Sequence, residues 1–287
     1  MSKKAIIIDG NSLIYRSFYA TLNQLEYYKQ HNFPPANAIK LVTLTVLKLL
    51  NEQQYDYALF ALDHHKKTFR TEEFADYKAG RKPMPDDLII QLPEISKAIN
   101  ALGIKTMSIP NIEADDIIGS YCKLMNQSDV HVTVFTSDKD MLQLVNEKTH
   151  VSLFKTGISE RDTYTHLNFS DKFFGLKPNQ IPDYKGIAGD SSDNLCGVKG
   201  IGPKTAINLL IKYNNFEEIY NHLDELNEGQ RTKFNQSKDH AKLCKTLATI
   251  RLDVLDKNSI NEFIKESINK DEMNKLIEKY HFKNIVF

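Results

Sequence analysis

Short apolar runs alternate with amphipathic stretches through the first half of the chain. Four runs have the length and composition of buried strands, and a fifth fits the same description: 5–8, 57–62, 104–109, 130–135 and 151–154. Between them, apolar residues recur at helical spacing over 39–50 and 89–102. This alternation predicts an α/β fold with a central parallel sheet covered by helices on both faces.

From about residue 164 onward, strand signals vanish and short helical stretches take over. Gly, Pro and Asn residues separate these stretches, and helices are expected at 206–212, 216–223 and 273–280. The second half of the chain is therefore predicted to be mainly helical.

Three of the predicted strands end at an aspartate: Asp9, Asp63 and Asp138. Each alone is explained equally well as a turn residue or a helix N-cap. Sites in open parallel sheets form beyond the carboxyl ends of the strands. The three side chains are therefore expected to converge at one edge of the sheet.

Further acids accompany these strand ends. Three acids in four residues, at 113–116, follow the third strand, where the helix dipole alone would favour only one or two. Asp138 and Asp140 are two apart and so lie on the same side of an extended segment, and another pair lies in the Gly/Ser/Asp turn at 189–194. Without cations these carboxylates would repel one another, and oxygen ligands select magnesium or manganese over zinc. The full set is Asp9, Asp63, Glu113, Asp115, Asp116, Asp138, Asp140, Asp190 and Asp193.

The segment 69–85 interrupts the alternation with basic and aromatic residues. It is longer than an ordinary connection in a compact domain, and such insertions are often functional. Lys78 and Arg81 are three apart and share one face if the segment is helical. Tyr77 beside them can stack on a base, whereas a solvated charged face is the alternative interpretation.

Six segments occur in an order that resembles the bacterial 5′-nuclease, or flap endonuclease, family, such as the N-terminal nuclease domain of bacterial DNA polymerase I. They are 9–12, the run through Asp63, 77–81, 113–116, 136–140 and 189–194. The resemblance covers nearly the whole chain and implies a PIN-like nuclease fold. No polymerase region follows Phe287, so the resemblance implies a stand-alone member. The segment 64–67, Cys196 and Lys199 depart from the family's usual residues, which bears on the substrate more than on the chemistry.

The resemblance also implies a division of the chain. A PIN-like 5′-nuclease core would occupy 1–175, with a helical gateway or arch at about 66–92. A helix–hairpin–helix module, also called helix–three-turn–helix, would occupy 176–240. The C-terminal helices, 241–287, would pack back on the core.

By the same resemblance, the nine acids would serve two magnesium ions, which manganese could replace. The first ion would take Asp9, Asp63, Glu113 and Asp115, and the second Asp138, Asp140 and Asp193, with Asp115 near both. Asp116 and Asp190 would assist through water. Lys78 and Arg81 would contact the scissile phosphate as catalytic residues.

The segment 197–206 has the composition of a tight hairpin that opens a helix. Gly200 and Gly202 permit close backbone approach, and Pro203 suits a first helical turn. Free N–H groups at such a helix start can bind a phosphate without reading a base, although a plain helix–turn–helix element is the alternative. The resemblance implies a potassium ion on the hairpin carbonyls and DNA contacts from Tyr77, Lys199, Gly200, Gly202, Lys204 and Thr205.

The charge balance bears on the choice of substrate. Lys plus Arg equals Asp plus Glu at 37 each, which argues mildly against a nucleic-acid partner unless the charges are segregated. The acids do cluster in the motifs above, and the bases lie at 70–82 and 199–204 on either side of them. No run approaches the about 18 apolar residues of a membrane helix, so a soluble, cytoplasmic protein is expected. A monomer is expected as well.

These observations predict a structure-specific 5′ nuclease acting on DNA with 5′ ends, flaps or nicks. It would combine 5′–3′ exonuclease and flap-endonuclease activity, leave 5′ phosphates, and remove flaps or RNA primers in replication and repair. Two ions roughly 4 Å apart would clamp the phosphate. A phosphatase with Asp9 as nucleophile would need a second Asp where Asn11 stands. A catalytically weak DNA-binding protein would not need all nine acids, and a PIN-type ribonuclease would lack the insertion and the hairpin module.

Overall fold

A computed structural model describes residues 2–64, 68–156, 160–283 and 285–287 of the chain. Residues 65–67, where the sequence departs from the family pattern and the expected arch begins, lie outside the described residues. The centre is a six-stranded sheet with the order β3-β2-β1-β4-β5-β6. The strands are β1 Lys4–Asp9, β2 Tyr57–Ala61, β3 Lys105–Met107, β4 His131–Thr136, β5 Thr149–Phe154 and β6 Arg161–Tyr164.

Helices cover both faces of this sheet and form most of the second half of the described chain. The α-helices are α1 Gly10–Ala20, α2 Leu22–Gln30, α3 Asn37–Glu52, α4 Phe69–Glu73, α5 Asp86–Ile89, α6 Leu92–Ala101, α7 Ala114–Gln127, α8 Phe169–Lys172, α9 Ile181–Ala188, α10 Pro203–Tyr213, α11 Phe216–Asn221, α12 Glu228–Ala248 and α13 Lys270–Tyr280. Short 3₁₀ helices lie at Lys139–Leu144, Pro178–Gln180, Leu223–Glu225 and Lys257–Phe263. None of the helices in the described ranges is long and apolar enough to span a membrane.

The strand β1 explains why the core has two layers of helices. Ile6 and Ile8 pack into one apolar cluster with α1, α3 and α6, whereas Ala5 and Ile7 pack into another with α7. All four side chains are fully buried, as a central parallel strand requires. The predicted α/β fold with a parallel-dominated sheet is therefore confirmed.

The last strand, β6, differs from the prediction because it runs antiparallel to β5. Its sequence, Arg161 to Tyr164, is mostly polar and partly exposed. Edge strands lack the continuous apolar run that identifies a buried strand, so the sequence pattern did not reveal it. The third strand is also shorter than predicted, since only Lys105–Met107 pairs with β2.

The basic segment, residues 69–85, is not one continuous helix. Turns connect the short helix α4 to residues near Arg81, and an extended stretch leads on to α5. Lys78 has a left-handed backbone with φ 57°, so it cannot share a regular helical face with Arg81. Pro83 and Pro85 also oppose helix formation before α5. The condition for a shared helical face, a helix through Lys78 and Arg81, is therefore not met.

The second half of the chain builds a separate apolar cluster around α9, α10, α11 and α12. The helix α12 runs continuously through residue 240, where a boundary was expected. The helix α13 returns to the sheet and packs against α6, with Met273 and Leu276 joining the cluster around β1.

Candidate active site

The carboxyl end of the sheet brings the strand-terminal aspartates together. In the parallel register Asp9 lies beside Ala61 of β2, and Ile8 lies beside Phe135 of β4. Asp9, Asp63 and Asp138 consequently line one cleft. The convergence predicted from the strand ends is therefore present.

Hydrogen bonds orient the first two of these carboxylates. Asp9 accepts the hydroxyl of Thr136 at 2.6 Å and the backbone N–H of Ser12 at 3.0 Å. Asp63 accepts the backbone N–H of Ala114 at 2.7 Å and the side-chain amide of Asn11 at 2.9 Å. These bonds hold both carboxylates in one rotamer at the cleft.

The same region is electrostatically unfavourable for so many charges. Burial raises the pKa of Asp9 to about 7, and neighbouring Asp138 and Asp63 add to the shift. Burial likewise raises the pKa of Asp115 well above its usual value, with Asp138 and Asp9 adding to the shift against the opposing charge of Lys78. A hard divalent cation among these oxygen donors would remove the repulsion, so the donor set fits magnesium or manganese.

A second acidic group contains Asp140, Asp190 and Asp193, whose carboxylates each offer an oxygen within 4.8 Å of the others. Asp190 was expected to act only through water. Its carboxylate nevertheless lies as close to Asp140 and Asp193 as those two predicted ligands of the second ion lie to each other. The ammonium of Lys185 contacts both Asp140 and Asp190. Burial and Asp138 raise the pKa of Asp140 to about 7, whereas Lys185 overcomes the effect of burial and lowers the pKa of Asp190 to about 2.

The basic segment contacts the acids directly. The Lys78 ammonium lies 2.8 Å from a carboxylate oxygen of Glu113, and the Arg81 guanidinium lies 2.8 Å from Asp193. Burial alone would raise the pKa of Glu113, but Lys78 and Arg70 reverse the effect and lower it. Lys78 and Arg81 therefore line the acidic cleft, each paired with an acid, although the Arg81 side chain remains half exposed.

The position of Tyr77 corrects one prediction. Its ring is only 4% exposed, and its hydroxyl donates to Asp193 at 3.1 Å. A buried ring has no free face, so the expected stacking of Tyr77 on a base is wrong. Its contacts instead join the basic segment to the second acidic group.

The position of Asp116 bears on another. Its carboxylate is fully buried and accepts two hydrogen bonds from the Arg70 guanidinium, at 2.7 and 2.8 Å, and one from the backbone N–H of Arg251 at 2.8 Å. It does not line the cleft that Asp115 lines. These contacts favour a structural role for Asp116, and its expected role of assisting a metal through water stays a prediction.

The sequence analysis missed two residues at this site, Lys185 and Arg70. Both side chains are buried and both compensate acids. For Lys185, the available signal was a lysine within the short, largely apolar helix α9, directly before the acidic turn. No comparable signal distinguishes Arg70 from the other bases of the insertion.

The hairpin before α10 exposes its backbone. Gly200 has φ 80°, a left-handed conformation that favours glycine. Gly202 caps α10 without a side-chain hydrogen bond, and Lys199 and Lys204 are exposed on either side of it. The carbonyl of Gly200 accepts a hydrogen bond from Lys233 at 3.0 Å, a contact that was not anticipated.

Comparisons with known proteins agree with this arrangement. The family model described as 5′-3′ exonuclease, N-terminal resolvase-like domain, matches residues 4–174. The model described as 5′-3′ exonuclease, C-terminal SAM fold, matches residues 176–271. A 5′-3′ exonuclease of Mycoplasma pneumoniae is 40% identical over 281 residues, covering 98% of this chain and 97% of that protein.

A longer relative and a solved structure extend the comparison. DNA polymerase I of Caldicellulosiruptor bescii is 37% identical over 285 residues, which are 99% of this chain but 33% of the polymerase. A flap endonuclease of bacteriophage T5, solved as a pseudo-enzyme–product complex with DNA and metal ions, has the same fold, with a TM-score of 0.68. That structure is 21% identical and covers 98% of this chain and 100% of its own. The chain described above belongs to the 5′-3′ exonuclease family.

Proposed function

We propose that this protein is a structure-specific 5′ nuclease that hydrolyses DNA phosphodiesters, as a 5′–3′ exonuclease and a 5′-flap endonuclease. One observation carries the proposal: acids from separate segments of the chain line one cleft, and Lys78 and Arg81 line it with them while each pairs with a further acid, Glu113 or Asp193. The substrate would be DNA with 5′ ends, flaps or nicks, and the products would carry 5′ phosphates. The protein would act as a cytoplasmic monomer in replication and repair.

Two groups of acids would hold two divalent ions. Asp9, Asp63 and Asp115 would serve the first, and the close group of Asp140, Asp190 and Asp193 would serve the second, with Asp138 between them. Glu113 would join the first group only by releasing Lys78. The bound ions would supply Lewis acidity for the attack on phosphorus and would offset the charge on the leaving 3′ oxygen.

Lys78 and Arg81 would then act on the substrate. Both lie in the cleft, and both are paired with acids that cations would neutralise. Once those acids are neutralised, the two cationic side chains are available to the oxygens of the scissile phosphate. Charge placed where the transition state develops charge accelerates the reaction more than it strengthens binding.

The hairpin would bind the duplex part of the substrate at a second contact, outside the cleft. The first N–H groups of α10 lack a side-chain cap, and Lys199, Gly200, Gly202, Lys204 and Thr205 surround this helix start. Such a site binds phosphate oxygens in any sequence. A potassium ion on the hairpin carbonyls remains a prediction, as does the division of the chain at residues 175 and 240.

A Gly202→Val substitution tests this contact. A Cβ at residue 202 would meet no heavy atom of the protein within 4 Å, so folding should be unaffected. The valine should nonetheless obstruct the approach of a DNA phosphate and weaken binding similarly on duplexes of unrelated sequence. Lys204→Ala should lower the slope of log affinity against log salt by about one unit. Titrations at several salt concentrations would refute the contact if affinity and slope stayed at wild-type values, or if the loss followed one sequence.

The activity itself is tested with a 5′-labelled flap duplex. In magnesium or manganese we expect a ladder of short 5′ products, and in EDTA we expect none, because the acids cannot act without a cation. A matched 3′-flap duplex is the control for polarity, and an RNA version tests the PIN-type ribonuclease alternative. Binding without cleavage in both metals would contradict the proposal and favour a catalytically weak DNA-binding protein.

A further inference from the structure

An exposed aromatic ring lies at the edge of the acidic cleft. Phe174 is 70% exposed, and it lines the cleft together with Lys139, Lys185 and Asp190. The cleft lining also includes Phe173, Ile181 and Tyr184, so the ring belongs to an apolar part of a cleft that is otherwise mainly polar or charged. Phe174 nevertheless stays largely exposed, and the exposure of so large an apolar side chain calls for an explanation outside the folded chain.

The backbone at this residue is also unfavourable for phenylalanine. Phe174 has φ 55°, in the left-handed region that costs energy for residues with a Cβ. It follows the short helix α8, and the next N–H, that of Gly175, returns to the carbonyl of Ser170 at 2.8 Å. This is the position at a helix C-terminus where glycine or asparagine is favoured. Neither burial nor backbone preference accounts for phenylalanine here.

The ring of Phe174 nevertheless packs against a cluster of other aromatic rings. Phe174 meets Phe173 edge-on, with ring centroids 6.0 Å apart. Phe173 in turn stacks on Phe169 at 5.6 Å and meets Tyr184 edge-on at 6.2 Å. These contacts restrict the position of the Phe174 ring, which lines the cleft.

We propose that Phe174 is a stacking platform for an unpaired nucleobase of the substrate, next to the second acidic group. This inference rests on the proposed nuclease function and adds a subsite to it. Cation binding does not explain the ring, because the neighbouring carboxylate oxygens bind cations better than an aromatic face does. A flat ring can, however, stack on the face of a base. Within a duplex both faces of a base are already stacked, so a base that is unpaired or terminal is the one with a free face. Such stacking tolerates any sequence.

The test uses the full chain and the substitution Phe174→Gly. Glycine suits the left-handed position, so thermal stability should hold or rise. Binding of a 5′-flap duplex in EDTA should weaken by about tenfold, and Phe174→Tyr, which keeps the ring, should restore it. Leu167→Ala is the matched control, because Leu167 is 82% exposed just before α8 and does not line the cleft.

A series of flap duplexes, each with one abasic site near the flap junction, locates the base. At the position where Phe174 stacks, removing the base should weaken wild-type binding but have little further effect on Phe174→Gly. Such non-additivity at one position supports the platform. Additive losses at every position, or unchanged binding by Phe174→Gly, would overturn the stacking platform. The nuclease function would still stand in that case, provided that the wild-type protein cleaves the flap. Failure of the wild-type protein to bind or cleave any flap would overturn both.

Discussion

Lys78→Ala is expected to lower the single-turnover rate of 5′-flap cleavage by two to three decades. Loss of a group that stabilises developing charge typically costs about 2.7–4 kcal/mol of transition-state free energy. The structure places the Lys78 ammonium within the acidic cleft, 2.8 Å from Glu113. Arg81→Ala should have a comparable effect, since its guanidinium lies 2.8 Å from Asp193. Saturating substrate and excess enzyme would isolate the cleavage step.

Binding of the flap should change much less than the rate, because many other phosphate contacts remain. Lys123→Ala is a suitable control, as Lys123 is exposed on α7 and does not line the cleft. Thermal denaturation of each variant would show whether Glu113 or Asp193 tolerates the loss of its partner. Rates within threefold of wild type for both substitutions would reduce the basic segment to a structural role and leave the acids as the supported part of the site.

Asp115→Asn and Asp116→Asn are expected to affect different properties, turnover and stability, although they are the same chemical change at adjacent residues. Asp115 lines the cleft, so its substitution should lower turnover by at least about 100-fold. Folding should be unimpaired, since burial and the neighbouring Asp138 and Asp9 disfavour the charged form of Asp115 in the metal-free protein.

Asp116→Asn should instead destabilise the fold by up to about 3–5 kcal/mol, because breaking this buried ion pair leaves the guanidinium with only the more distant carboxylate of Glu113, 3.6 Å away. The partner here is Arg70, whose side chain is 2% exposed. Denaturant unfolding in EDTA measures the loss of folding free energy in Asp116→Asn. Single-turnover cleavage below the unfolding transition measures the rate per folded molecule of each variant. A stable Asp116→Asn protein with strongly reduced cleavage would return Asp116 to the metal site.

The positions of the strands and of most acids could be predicted because both depend on local and general rules. A short apolar run that ends in Asp9 or Asp63 identifies a buried strand and the residue at its carboxyl end. Parallel strands meet at one edge, so the convergence of these acids follows without any knowledge of the loops. The mainly helical second half followed in the same way from the change in periodicity.

Side-chain orientation and contacts between distant segments could not be read from the same patterns. Tyr77 stood in a basic, loop-like segment, and only the folded chain shows that its hydroxyl reaches Asp193, more than a hundred residues away. Lys185 and Phe174 were overlooked for the same reason, since neither belongs to a motif that carries chemistry by itself.

By itself, the sequence determined the family, the sheet, and the gathering of acids that suits divalent cations. Only the tertiary structure decided which acids face the cleft. Asp115 and Asp116 are neighbours on α7, but successive helical side chains point about 100° apart, so one enters the cleft and the other meets Arg70. Which of the two side chains faces the cleft depends on how α7 packs against α4 and the segment after α12. Those contacts come from residues far away in the sequence.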